Sequence, residues 1–107
     1  MQVVLDACVP ARFATWLPGH QVSTLSGLLG ASDLDDGPLL ERLKDRCQAL
    51  ITVDKNIPFQ QNVSHLTYGI VIIRARSNRL EHLIPLAPGT LSALADLRPG
   101  QVLYVGV

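Results

Sequence analysis

Two aspartates stand where short apolar runs stop: Val3–Leu5 ends in Asp6, and Leu50–Val53 ends in Asp54. Around the second, LITVDKNIPFQQN turns from apolar to polar within one residue. Short runs of this kind read as buried strands. In an open parallel sheet, ligands bind outside the carboxyl ends of the strands, so a carboxylate there is placed for chemistry. If the two runs are neighbouring parallel strands, Asp6 and Asp54 emerge at one sheet edge, with the strands about 4.8 Å apart. Two like charges that close are costly unless a cation or a proton lies between them. A third acid, Asp36, precedes Gly37-Pro38 at the start of a helical pattern. A helix that follows a strand begins on the strand's carboxyl side, so Asp36 is expected at the same edge. Three carboxylates make a hard oxygen donor set that suits Mg2+ or Mn2+ better than zinc. A metal held this way can activate water and neutralise charge on a phosphodiester. Lys55, Arg74 and Arg76 follow strand ends at that edge and suit a phosphate backbone, arginine bidentately and lysine as a point charge. Asn56, beside Lys55, can coordinate or orient water but cannot act as a base.

Each of these residues also has a plainer reading. Asp36 is a good helix N-cap in its own right. Asp6 and Asp54 suit loops in which Asp accepts nearby N–H groups. Asp33 and Asp35 read as solvated or locally bonded loop charges, and either is a candidate for a further acid. Arg74, Arg76 and Arg79 read as a solvated patch. The three histidines show no ligand spacing, and His82 reads as lying on an exposed helix face. Cys8, Cys47 and Trp16 read as core.

The elements that must position these residues alternate along the chain. A first strand over Gln2–Leu5 leads to Pro10, which suits a first helical turn. Val9, Phe13, Trp16 and Leu17 then make one apolar stripe, ended by Pro18-Gly19. Gln21–Leu25 reads as a weaker strand near an edge, and Ser26–Asp36 as a loop. Leu39, Leu40, Leu43 and Cys47 stripe the next helix. A third strand covers Ala49–Val53, and Gly69–Ile73 is the most apolar strand. Asn78 is a candidate helix cap, and Pro85 and Pro88 must split the helical stretch that follows. A last strand covers Gln101–Val107. This alternation predicts one three-layer α/β domain over residues 1–107, with a mostly parallel central sheet of about five strands. Val3–Leu5, Ala49–Val53 and Gly69–Ile73 are its expected inner strands, and the crossovers are expected to be right-handed throughout.

The totals narrow the class. At 107 residues, 48% hydrophobic and 17% charged, the chain reads as a single globular domain able to bury a core. The formal net charge is zero, so a strongly basic nucleic-acid footprint is absent from the total. Two cysteines without a CxxC make neither a disulfide framework nor a zinc spacing and point to a reducing cytoplasm. No apolar run reaches the roughly 20 residues of a membrane span, and no basic, apolar leader precedes the first strand.

VVLDACVP, DDGPLLERL and LITVDKNIPFQQN, in that order, resemble a small PIN-like domain, in the branch related to VapC-type toxins of toxin–antitoxin pairs. GIVIIRARSNRLEHLIPLAP and the short terminal strand extend the likeness over nearly the whole chain. The resemblance implies a Rossmann-like parallel sheet and an acidic cluster that binds Mg2+ or Mn2+ and cleaves single-stranded RNA. By position it implies Asp6, Asp36 and Asp54 as the catalytic and metal-binding acids. It also implies a small cognate antitoxin protein as partner and a homodimer, with Val102–Val107 or the first helix supplying contact. The chain departs from the pattern at Ala7 and Asn56, where many relatives carry a second acid. That thinning favours, as the alternative, a PIN fold that no longer cuts and acts as a nucleic-acid or protein binding module. A phosphoacceptor receiver domain fits less well: no acid pair follows the first strand, and no Lys follows the last.

Overall fold

The apolar runs become strands because their β-branched and leucine side chains can pack on both faces of a sheet. In this computed structural model, which describes residues 1–30 and 36–106, and only the backbone of residues 36, 37, 59 and 60, they form a single sheet. Its strands are β1 (Gln2–Leu5), β2 (Gln21–Thr24), β3 (Ala49–Thr52), β4 (Gly69–Arg74) and β5 (Val102–Gly106). Their order is β2-β1-β3-β4-β5, and all four pairings are parallel. The three expected inner strands are the inner strands, and Gln21–Thr24 lies at an edge, as its polarity predicts.

Side chains alternate between two cores. Val3, Leu5, Ala49, Ile51, Val71, Ile73 and Val105 point to one face, where Phe13, Leu83, Ala87 and Leu94 cover them. Those residues come from the 3₁₀ segment Ala11–Trp16, from α4 (Leu80–Leu83) and from α5 (Ala87–Asp96). Val4, Leu50, Ile70 and Ile72 point to the other face, beneath Leu25, Leu29, Leu39, Leu40, Leu43 and Ile57. These belong to α1 (Leu25–Leu29), to α2 (Asp36–Arg42) with the turn after it, and to α3 (Ile57–Gln60). The three-layer α/β architecture is therefore present.

The crossovers do not all share one hand. The β1–β2 connection and the β4–β5 connection both lie on the face of Phe13 and Leu94, yet they run in opposite directions along the sheet. Two such connections cannot have the same hand. The β2–β3 and β3–β4 connections, on the opposite face, agree with β1–β2, so β4–β5 is the exception to the single hand expected. One consequence is local. With α4 and α5 drawn to the first face, no helix among the described residues covers the second face of β5; Val102 packs against the second core at its start, and Tyr104 is 41% exposed further along.

Three further expectations need correction. The stretch Ser26–Asp36 is not all loop, since α1 forms at its start. The Thr24 hydroxyl caps it by accepting the Gly27 N–H at 3.1 Å, Leu25 and Leu29 bury one face, and Gly30 ends it at φ 75°. Trp16 is not core but 44% exposed. The 3₁₀ segment stops at Trp16 and Leu17 leaves it at φ −119°, ψ 62°, so the helical period does not carry Trp16 inward with Leu17. Asn78 does not cap α4, as its side chain is engaged elsewhere. The prolines do split the helical stretch: Pro85 sits in the 3₁₀ turn Ile84–Leu86, and Pro88 in the first turn of α5. Among the described residues, no helix is long and apolar enough to cross a membrane.

Candidate functional site at the carboxyl ends of the inner strands

Adjacent strands β1 and β3 diverge in the connections they make, β1 leading to one side of the sheet and β3 to the other. A crevice forms at such a switch point, outside the carboxyl ends of the strands. Leu5 pairs with Ile51 in that register, and the Asp6 N–H donates to the Ile51 carbonyl at 2.9 Å, which continues the ladder by one residue. Asp6 thereby stands opposite Thr52.

Thr52 is the hub. It is 0% exposed in a strand otherwise made of apolar residues, so its hydroxyl must find partners within the protein. It donates to Asp6 Oδ2 at 2.7 Å and accepts the Asp54 backbone N–H at 3.1 Å. One buried hydroxyl thus fixes the Asp6 carboxylate and the turn that carries Asp54. The other Asp6 oxygen accepts the Ala7 N–H at 2.8 Å, and Asp54 Oδ1 accepts the Asn56 N–H at 2.9 Å. Both aspartates are half-buried and take the local turn-bonding role as well.

Cys8 packs against the first core, as expected, and also belongs to this site. It is half-buried, with Sγ 3.4 Å from Thr52 Oγ1 and 3.6 Å from Asp6 Oδ2. Burial pushes its thiol pKa up, the Thr52 contact pulls it back in part, and the Asp6 charge adds to the rise. Asn78 donates its side-chain amide to the Cys8 carbonyl at 3.0 Å, tying the loop after β4 to the turn after β1. His82 is half-buried, not on an open face, and its Nδ1 lies 2.6 Å from Ser77 Oγ. Beside Asp6, away from Asp54, a cleft of ≈ 320 Å³ runs between Ala7–Pro10 and the Thr24–Ser26 corner.

The structure joins Asp6 and Asp54 through Thr52. Helix α2 begins at Asp36, whose side chain lies outside the described residues, as do Asp33 and Asp35 entirely. Among the described residues, no three His, Cys, Asp or Glu side chains gather where one metal could hold them all. Lys55, Asn56, Arg74 and Arg76 are exposed, and Arg74 closes β4 with its guanidinium over the Tyr104 ring, 4.2 Å from the centroid. Arg79 pairs with Glu81 at 3.1 Å on the surface.

Sequence reasoning missed Thr52, Cys8 and Tyr104. The signal for Thr52 was a hydroxyl inside an otherwise apolar strand, two residues before an aspartate. Nothing in the sequence marked Cys8, and Tyr104 reads as an ordinary strand residue. Comparison of the chain with protein-family models, with curated proteins and with solved structures returns no match.

Proposed function

We propose that this chain is a PIN-type endoribonuclease that uses Mg2+ or Mn2+ to hydrolyse single-stranded RNA. The observation that carries this reading is the Thr52 hydroxyl, shared between the Asp6 carboxylate and the Asp54 turn at the switch point of the sheet. The donor chemistry fits a hard cation. Asp6 Oδ1 keeps a lone pair beyond the Ala7 N–H, while Oδ2 takes both the Thr52 hydroxyl and the Cys8 thiol, and Asp54 Oδ2 accepts no hydrogen bond among the described residues. Mg2+ commonly takes one or two protein carboxylates and completes its shell with water and substrate phosphate.

Asp6 and Asp54 would hold the ion, with Asp36 as the third acid. When bound, the ion supplies an acidified water and neutralises charge on the phosphodiester. Thr52 holds Asp6 in one orientation, so little side-chain ordering remains to be done on binding. The Asn56 N–H keeps Asp54 turned. The exposed Lys55, Arg74 and Arg76 attract and align the RNA backbone. The motif likeness supports, further, a toxin of a toxin–antitoxin pair that a small antitoxin protein restrains. It supports a homodimer too, and the two free thiols agree with a cytoplasmic setting.

The test joins binding to cleavage. Mg2+ at a hundredfold excess over its dissociation constant should stabilise the fold by about 2.7 kcal/mol. Asp54→Asn should remove both that stabilisation and the cutting of single-stranded RNA, whereas Asp33→Asn should change little. An Asp54→Asn protein that binds metal and cuts like the parent would refute the site. Ala7 and Asn56, standing where the motif likeness leads one to expect further acids, favour one other reading, a fold that binds without cutting. A parent that binds RNA and metal but cleaves no RNA would establish it.

A further inference from the structure

The register of the sheet places a second feature in line with the candidate site. Asp6 stands opposite Thr52, Thr52 pairs with Ile72, and Ile72 pairs with Tyr104. These four residues form one row across the same face, from β1 to β5. Three strand spacings put its ends about 14 Å apart. One pleat further toward the carboxyl edge stands Arg74, on the strand next to the one that carries Asp54. At the far end of the row no helix among the described residues covers this face, because the last connection went to the other face. Tyr104 is left 41% exposed, with Arg74 stacked on its ring.

We propose that Arg74 and Tyr104 form a base-stacking subsite for a nucleotide flanking the phosphodiester that a cation at Asp6 and Asp54 would position. The inference rests on the single-stranded RNA reading above and names the part of the substrate that this end of the row takes. Unpaired bases stack on tyrosine rings and on guanidinium planes, whatever their sequence. A guanidinium already lying on an aromatic ring presents its outer plane to a further flat partner, at a site where its charge also favours the polyanion. Continuity decides between partners. The pair adjoins the candidate site along a single row, and the exposed Lys55 and Arg76 lie at the same edge of the sheet. A phosphodiester chain running from Asp54 past Arg74 meets all of those cations in turn.

The experiment measures anisotropy of a short labelled single-stranded oligoribonucleotide on the Asp54→Asn background, where cutting is expected to be lost, and kinetics on the parent background. Tyr104→Ala should weaken binding about tenfold, raising KM with kcat little changed. Tyr104→Phe should bind like the parent, because the ring is kept. Thermal melts check that both variants fold. Unchanged RNA affinity in a folded Tyr104→Ala overturns the subsite while leaving the nuclease reading intact. Tyr104-dependent RNA binding by a parent that cuts nothing supports the subsite and rejects the nuclease. A Tyr104→Ala protein that loses only self-association, with RNA affinity intact, makes the patch a contact between copies and overturns the proposal.

Discussion

The two ends of that row are built on opposite principles. At the β1–β3 end, Thr52, Cys8, both Asp6 oxygens and the Asp54 turn are hydrogen-bonded to one another or to nearby backbone. Thr52 is fully buried, and its oxygen serves Asp6, the Asp54 N–H and the Cys8 thiol at once. At the β4–β5 end the same face is open, and Arg74 is held by an aromatic ring instead of an acid. The difference comes from where the connections run. Inner strands are covered on both sides, so any polar side chain among them must be satisfied internally and is thereby fixed. An edge strand covered on one side carries no such requirement, and its side chains stay free to meet a partner. Fixed carboxylates suit a cation that demands defined geometry; an open stacked pair suits a partner of variable identity.

The largest expected effect breaks the fixed end. Thr52→Val keeps shape and β propensity but removes the hydroxyl, stranding the Asp54 N–H and an Asp6 oxygen in a half-buried place. Leaving such groups unbonded costs about 1–3 kcal/mol. Urea unfolding should show that loss, and Thr52→Ser should recover most of it. A Thr52→Val protein as stable as the parent would mean that the hydroxyl is not the tie described.

The contrast between the ends was only half legible in the sequence. The strands were readable because apolar runs of four to six residues end abruptly in charge or turn residues. Asp6 and Asp54 were readable for the same reason, since each marks a strand's end. What joins them was not, because Thr52 passes as one more β-branched residue until the register sets it opposite Asp6. The bare face of β5 was hidden further. It depends on which side of the sheet α4 and α5 take, and their mixed stripe, split by Pro85 and Pro88, does not say. The corner that forms α1 was read as loop because five residues with a central Gly27 offer little helical period. Its cap, Thr24, counted instead as part of a strand that ran on to Leu25.

A middle-sized effect follows from the thiols. Burial raises the pKa of Cys8, and it pushes Cys47 up to about 11 from an ordinary value of 9.0. A raised folded pKa means that the folded state holds the proton more tightly than the unfolded chain. The resulting stability is complete below pH 9 and is lost as pH rises through the folded value, between 9 and about 11 for Cys47. Alkaline titration of the melting temperature should fall through that window, and Cys47→Ala should shrink the fall. In the folded protein at pH 8, iodoacetamide should modify half-buried Cys8 before buried Cys47, and more slowly than a free thiol. In Thr52→Val the alkylation of Cys8 should shift to still higher pH, because the Thr52 contact holds its pKa down. An unshifted profile would separate Cys8 from the Thr52–Asp6 network.

The smallest expected effect sharpens the open end. Exposed cation–π contacts contribute about 0.5–1 kcal/mol, so Arg74→Gln and Tyr104→Leu should each change stability by no more than about 1 kcal/mol. A double-mutant cycle between them, read by urea unfolding, should give a coupling within the same range. The size matters for what the pair can do. A weakly coupled guanidinium can tilt or shift on the ring to accept a base at little cost. A coupling well above 2 kcal/mol would make the pair a structural clasp for an otherwise uncovered edge strand. The open end would then resemble the fixed one, and the division of labour along the row would fail. A small coupling together with the loss of RNA affinity in Tyr104→Ala is the combination that a clasp cannot produce, because a clasp acts through stability and a stacking surface does not.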